Sequence, residues 1–228
     1  MRSCLIASIL LLGAALTASA AEQDSSQLEQ WLQQQVELQS WSADVTQTRR
    51  LKSLVRPLVA TGSIWVLQPK RFRWQLGDPP RTIAIGTETG LTIAYPRLKQ
   101  LERYAYSDAV NPSLRQILDL LEVGFPSSAE AFHERYSLVQ TIALEAGWRF
   151  ELQPRAADAQ RFLDAVYIEV GAVDMSLQAT ELTFPDGSVM RNEFSNPKID
   201  QEIDVALFQL EAGLDWQISE PLSTKPLN

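Results

Sequence analysis

Cysteine is almost missing from this chain: Cys4 stands alone among 228 residues, ahead of the one long apolar stretch. That count excludes a disulfide scaffold and any thiolate zinc or iron–sulfur site. Histidine is as scarce, with His133 the single one, so an imidazole-rich metal centre cannot be assembled. A lone histidine beside Glu134 in a helical segment reads as structural or exposed. Positive charge is in the minority, 20 Lys and Arg against 28 Asp and Glu, for a formal net charge of −8. Such a chain is a poor electrostatic match for nucleic acid. The patterns G-x-S-x-G, H-E-x-x-H and a Gly-rich loop ending in Lys-Ser/Thr are all missing. The carboxylates have plain explanations: Glu169 points outward from a strand, Asp186 serves a turn, and Asp200, Glu202 and Asp204 lack the glycine and spacing of a calcium loop. No catalytic residue, metal or cofactor is expected.

What is present begins with an export signal. Arg2 precedes an apolar stretch from Leu5 to Leu16, and Ala18-Ser19-Ala20 is a small-x-small cleavage site. Residues 1–20 read as a signal peptide, too short for a membrane span. Residues 21–228 read as one domain, without repeat or low-complexity linker. Beyond Ser26, residues Leu28, Trp31, Leu32, Gln35 and Val36 form a single-faced helical stripe, with Glu29 completing a capping box. A second stripe, Leu114, Ile117, Leu118 and Leu121, opens after Pro112 and closes at Gly124. A short third helical piece follows Ser127 or Ser128.

The rest alternates with period two. The stretch Gly62 to Trp74, G-S-I-W-V-L-Q-P-K-R-F-R-W, holds two strands broken at Pro69, and the second strand puts Phe72 and Trp74 opposite Arg71 and Arg73. Further strands are expected at Thr82–Gly86, Leu91–Tyr95, Leu98–Tyr106, Tyr136–Ile142, Trp148–Gln153, Val166–Val170 and Met175–Phe184. The last is joined by the Pro185–Ser188 turn to Val189–Phe194. About ten short strands with one apolar face each predict a mainly β fold: a strongly curved antiparallel sheet, an unclosed barrel, with helices over its concave apolar face. Trp65, Phe72, Trp74, Ile83, Ile85, Leu91, Ile93 and Tyr95 then read as one continuous lining. It is either the wall of a cavity for acyl chains or a dry core completed by the helices. Each buried methylene contributes about 0.8 kcal/mol, enough for tight acyl binding.

The order of these features resembles the periplasmic carriers of outer-membrane lipoproteins, the LolA family. The resemblance rests on Trp41-Ser42-Ala43-Asp44-Val45-Thr46-Gln47-Thr48, similar to the family's F-x-A-x-F-x-Q segment, and on the Gly62–Trp74 hairpin. It rests also on the Ile83 to Tyr95-Pro96 run and on the terminal region Ile203 to Trp216. It implies a periplasmic, non-enzymatic, monomeric carrier, with Trp65, Phe72, Trp74, Ile83, Ile85, Ile93 and Tyr95 against the lipid. Trp31, Gln68 and Leu118 are the expected lid contacts. The implied partners are an acylated lipoprotein, an inner-membrane lipoprotein-releasing transporter and an outer-membrane acceptor. The chain departs from the family at Gln68, where an arginine usually precedes the hairpin proline, and at Gly86, where an aspartate is usual. A divergent carrier of another acylated lipid or glycolipid is the alternative; a lipid hydrolase or an envelope structural factor follows behind.

Overall fold

The computed structural model describes residues 13–105 and 123–220, with only the backbone course given for residues 13–24. Helix α1 (Gly13–Glu37) leads into β1 (Ser40–Arg50), β2 (Leu58–Leu67), β3 (Arg71–Leu76), β4 (Thr82–Gly86), β5 (Gly90–Tyr95) and β6 (Gln100–Ala105). These six strands form an antiparallel meander. The short helix α2 (Ala129–Arg135) precedes a second meander of β7 (Tyr136–Leu144), β8 (Gly147–Pro154), β9 (Ala165–Gly171), β10 (Leu177–Thr183) and β11 (Val189–Ile199). Pairing of β1 with β11 joins the two meanders into one sheet. The chain ends with β12 (Gln217–Ser219), which runs parallel to β6.

This arrangement corrects the expected strongly curved antiparallel, unclosed barrel. The sheet has twelve strands in the open order β12-β6-β5-β4-β3-β2-β1-β11-β10-β9-β8-β7, and it is mixed, because β12 joins in parallel. The physical reason lies in the β2–β5 region, where both faces are apolar. One face carries Ile64, Val66, Phe72, Trp74, Leu91 and Ile93; the other carries Ile83, Ile85 and Ala94, packed against Phe208 with Trp65 and Trp216 beside it. A sheet covered on both sides has no need to curl around a single greasy face.

The local sequence explains the elements. Leu28, Trp31 and Leu32 turn one side of α1 into the core and are essentially unexposed. Ser128 caps α2, its Oγ accepting from the Ala131 N–H at 3.1 Å. His133 lies on the α1-facing side of α2, and its Nε2 is 2.9 Å from Glu29 Oε1, which ties the two helices together. The expected helix after Pro112 falls on residues 106–122, outside the described residues. The strand expected at Val189–Phe194 runs further: β11 continues through Asn196 and Pro197 to Ile199, pairing with β1 alone beyond Glu193.

Candidate functional site

The two meanders place their apolar side chains in two adjoining clusters on the helix side of the sheet. Under α1 and α2, Trp31 packs with Phe132, Phe150, Leu152, Ile168 and Leu182. Over β1–β6, Trp41, Val45, Ile64, Val66, Phe72, Trp74, Leu91, Ile93 and Tyr104 form the second cluster. Phe125 and Phe194 touch both. The join is aromatic: Trp41 sits 4.9 Å from Phe125 and 5.3 Å from Phe194, and Trp74 lies 6.2 Å from Phe194, ring centre to ring centre. Among the described residues, Leu38 and Phe125 are the apolar side chains that reach the second cluster from outside the strands.

Strand register decides which expected residues share this face. Ile64 pairs with Trp74 and Val66 with Phe72, and on the other side of β3 Trp74 pairs with Ala84 and Phe72 with Gly86. Ala84 in turn pairs with Ile93. Phe72, Trp74 and Ile93 are therefore neighbours, with Tyr95 partly buried against them. Trp65, Ile83 and Ile85 are on the opposite face, under Phe208 and Trp216. Arg73 shares that opposite face, where Nη1 donates to the Leu207 carbonyl at 3.0 Å and Nε to Gln75 Oε1 at 3.2 Å. Burial there pulls its guanidinium below the ordinary arginine value.

Gly86 has a steric role. A Cβ built there would lie 2.0 Å from Cε1 of Phe72, so the ring rests on the bare glycine backbone. Of the expected lid contacts, Trp31 belongs to the α1 core. Gln68 meets the segment just after α1 through its backbone N–H, which donates to the Gln39 carbonyl at 2.9 Å. Leu118 lies outside the described residues.

The indoles differ in one telling respect. With the Gln35 amide oriented to suit its neighbours, Trp31 Nε1 donates to the Gln35 carbonyl oxygen at 3.1 Å, and Gln35 donates to the Gly124 carbonyl at 3.3 Å. Trp74 is also buried, 8% exposed, yet its Nε1 has no acceptor among the described residues. An unmade buried hydrogen bond costs about 1–3 kcal/mol. At the β6 end of the same face, Tyr104 donates to Glu102 Oε2 at 2.7 Å, and burial with that carboxylate pushes its phenol above the tyrosine range.

The reverse side of the second meander has a different chemistry. Arg149 and Arg191 clamp Glu169 at 2.6 and 2.7 Å, Arg149 also reaches Glu181 at 2.8 Å, and the Arg149 guanidinium stacks 4.1 Å from the Tyr167 ring. The Arg191 hydrogen bonds hold the Glu169 carboxyl below its usual value despite desolvation. A notch of about 400 Å³ opens beside this network, where β10 stops short of β11, lined by Glu169, Arg191, Glu193, Phe194 and Pro197. Its charged rim suits acyl chains far less than the Trp74 face does. Among the described residues, no group of three or more His, Cys, Asp or Glu side chains could hold a metal ion.

Comparison with known proteins gives the architecture a family. The sequence profile of the outer membrane lipoprotein carrier protein LolA matches residues 36–211. The chain belongs to the LolA family. Membership places it among periplasmic carrier and chaperone-like proteins that handle lipoproteins without catalysis. No described helix of this LolA-family chain is long and apolar enough to cross a membrane. No curated protein matches it. Solved structures resemble its fold at low identity. An uncharacterized conserved protein from Thermus thermophilus has TM-score 0.50 and 14% identity, covering 86% of this chain and 98% of that one. A LolA superfamily protein from Nitrosomonas europaea has TM-score 0.40 and 12% identity, over 80% and 97%. The MucA/MucB complex of Pseudomonas aeruginosa has TM-score 0.44 and 13% identity, over 82% of this chain and 61% of that one.

Sequence reasoning did not single out Phe125 and Phe194 for this site. Phe194 carried a signal, since it lies two residues beyond Asn192 on the inward parity of β11. Phe125 follows a glycine in a loop and carried none.

Proposed function

We propose that this chain is a periplasmic carrier that binds the acyl chains of lipoproteins against the Phe72–Trp74–Ile93 face and moves them from the inner to the outer membrane. The observation that carries the reading is the indole N–H of Trp74, which has no partner among the described residues, within an otherwise apolar, aromatic face. A finished dry core rarely leaves such a donor without an acceptor. An acyl chain brings methylenes for the aromatic rings and an ester or amide carbonyl for the N–H. Family membership over residues 36–211 supports the same reading. Tyr95 lies at the margin of this face, while Trp65, Ile83 and Ile85 support it from behind. Residues 1–20 are removed on export, leaving one carrier domain from Ala21 onward that works as a monomer. An inner-membrane lipoprotein-releasing transporter loads it, and an outer-membrane acceptor unloads it.

The test is to purify the protein from its own compartment and identify co-purifying molecules by mass spectrometry. Acylated peptides are the expected result. Recovery of free phospholipid or glycolipid alone moves the assignment to a carrier of other acylated lipids. A protein that emerges empty and binds no acylated ligand in solution refutes both.

A further inference from the structure

The tip of the β1–β2 hairpin carries a set of residues that neither the core nor the acyl face uses. Leu54, Val55, Leu58 and Val59 are 45, 102, 51 and 57% exposed. Leu58 and Val59 are successive strand residues and so point to opposite faces, yet both are in solvent. The register explains why: β3 pairs with β2 only from Gly62 onward, so the first residues of β2 extend past their neighbour. Arg49, Arg50, Lys52 and Arg56 stand among these apolar side chains, all exposed. From Val45 to Ala60 the chain contains these four basic residues and no acidic one, in a chain of net charge −8. One carboxylate beside the tip is Asp186 of the β10–β11 turn. It lies close enough to Lys52 to feel its charge, and it accepts from the Ser188 N–H and hydroxyl.

We propose that this hairpin tip is a membrane-docking element that seats on the surface of an anionic phospholipid bilayer. The chemistry on each side is complementary. Arginine and lysine meet anionic headgroups while leucine and valine enter the headgroup–acyl boundary, the pattern of a peripheral interfacial anchor. Exposed aliphatic side chains clustered at a projecting tip mark a contact surface rather than ordinary surface scatter. Apolar insertion alone would aggregate the protein and positive charge alone would give a salt-labile contact, whereas the two together give reversible, composition-dependent binding. Because the acidic remainder of the molecule is repelled by the same membrane, the tip also orients the protein, turning it tip-first towards the bilayer. The docking is independent of the cargo and of the Trp74 face.

The experiment is vesicle co-sedimentation of the purified exported protein without cargo. It uses phosphatidylcholine vesicles and vesicles containing one third phosphatidylglycerol, at low and at near-physiological salt. Binding to the anionic vesicles is expected, weakening with salt, with little binding to phosphatidylcholine alone. Arg50→Gln with Arg56→Gln lowers the anionic partition roughly 25-fold, about fivefold for each charge. Val55→Ser with Leu54→Ser removes the residual binding at higher salt. These positions are exposed, so circular dichroism and the unfolding midpoint stay at wild-type values. A Val55→Cys variant carrying an environment-sensitive dye shifts to the blue on anionic vesicles and is quenched by brominated acyl chains. Equal binding to both vesicle types, or an unquenched dye, overturns the proposal. Tip variants that block delivery to a protein acceptor but keep wild-type vesicle partition also overturn it and point to an acidic protein surface instead.

Discussion

Replacing Trp74 by phenylalanine separates a binding role from a packing role. In the empty protein the substitution removes an unpartnered donor that costs about 1–3 kcal/mol. It also gives up roughly 40 Å³ of packed volume, about 1 kcal/mol at about 24 cal/mol per Å³, together with the transfer energy of a few heavy atoms. The terms oppose each other, so the denaturant midpoint of empty Trp74→Phe should stay within about 1 kcal/mol of wild type. Ligand binding is where the loss appears. On the carrier proposal the ester carbonyl of a diacyl lipid accepts from the indole N–H, whereas a dialkyl ether analogue lacks the carbonyl and offers only the weaker ether oxygen. Wild type should prefer the ester by about 1–3 kcal/mol, roughly 5- to 150-fold in Kd by calorimetry. The variant should bind both alike, at the affinity wild type shows for the ether. If Trp74→Phe instead unfolds several kcal/mol more easily and keeps the wild-type ester preference, Trp74 is a packing residue and the argument fails. Loss of all binding by wild type would reject the carrier proposal itself, a result distinct from equal binding of the two lipids.

The division between sheet faces gives a paired prediction. Ile85→Ala and Ile93→Ala should each lower the unfolding free energy by about 2–5 kcal/mol, but only Ile93→Ala should weaken acyl ligand binding, as titration of a fluorescent fatty acyl probe will show. Gly86→Ala drives a methyl group into the Phe72 ring, found 2.0 Å from the added carbon. It should cost about 1–3 kcal/mol in urea unfolding, and pairing it with Phe72→Leu should recover part of the loss. Acid sensitivity follows from Glu169, whose folded pKa is depressed first by its hydrogen bonds to Arg191. Its contribution is complete above the unfolded carboxylate pKa and is lost as pH falls through the lower folded value. Unfolding curves from about pH 6 down to about pH 3 should therefore show a steeper loss for wild type than for Glu169→Gln; parallel curves would remove the network from the account.

The β2–β3 hairpin was legible because two local signals agree: alternation fixes which side Phe72 and Trp74 take, and Pro69 fixes where the strand must turn. Parity alone could not say how hairpins align with one another. The turn between β3 and β4 sets Trp74 opposite Ala84, which sends Ile83 and Ile85 to the far side. One residue more or fewer in that turn would have brought Ile83 and Ile85 to Trp74 but carried Ile93 away with β5, and Trp65 would have stayed opposite. No single register therefore unites the eight residues that the sequence reading put on one face. The mixed character of the sheet was hidden for another reason. β12 is three residues long, exposed throughout, and paired with a strand far away in sequence. Phe194 was obscured because the expected strand stopped at it, two residues short of Asn196-Pro197. Here the strand passes through with Asn196 in the left-handed region and β1 as its only partner.

The segment that follows β11 runs from Asp200, whose carboxylate accepts from the Gln39 and Ser40 N–H groups, past Phe208 and Trp216 to β12. It is made last. A polypeptide delivered N-terminus first into the periplasm completes the β1–β6 meander while Trp65, Ile83 and Ile85 still lack their cover. The β1 edge then also waits for β11. Until β11 and the segment after it emerge, the nascent protein exposes a greasy plate and an open strand, both of which invite association with other chains. The C-terminal segment is therefore a cover that the fold needs before it is secure from its neighbours.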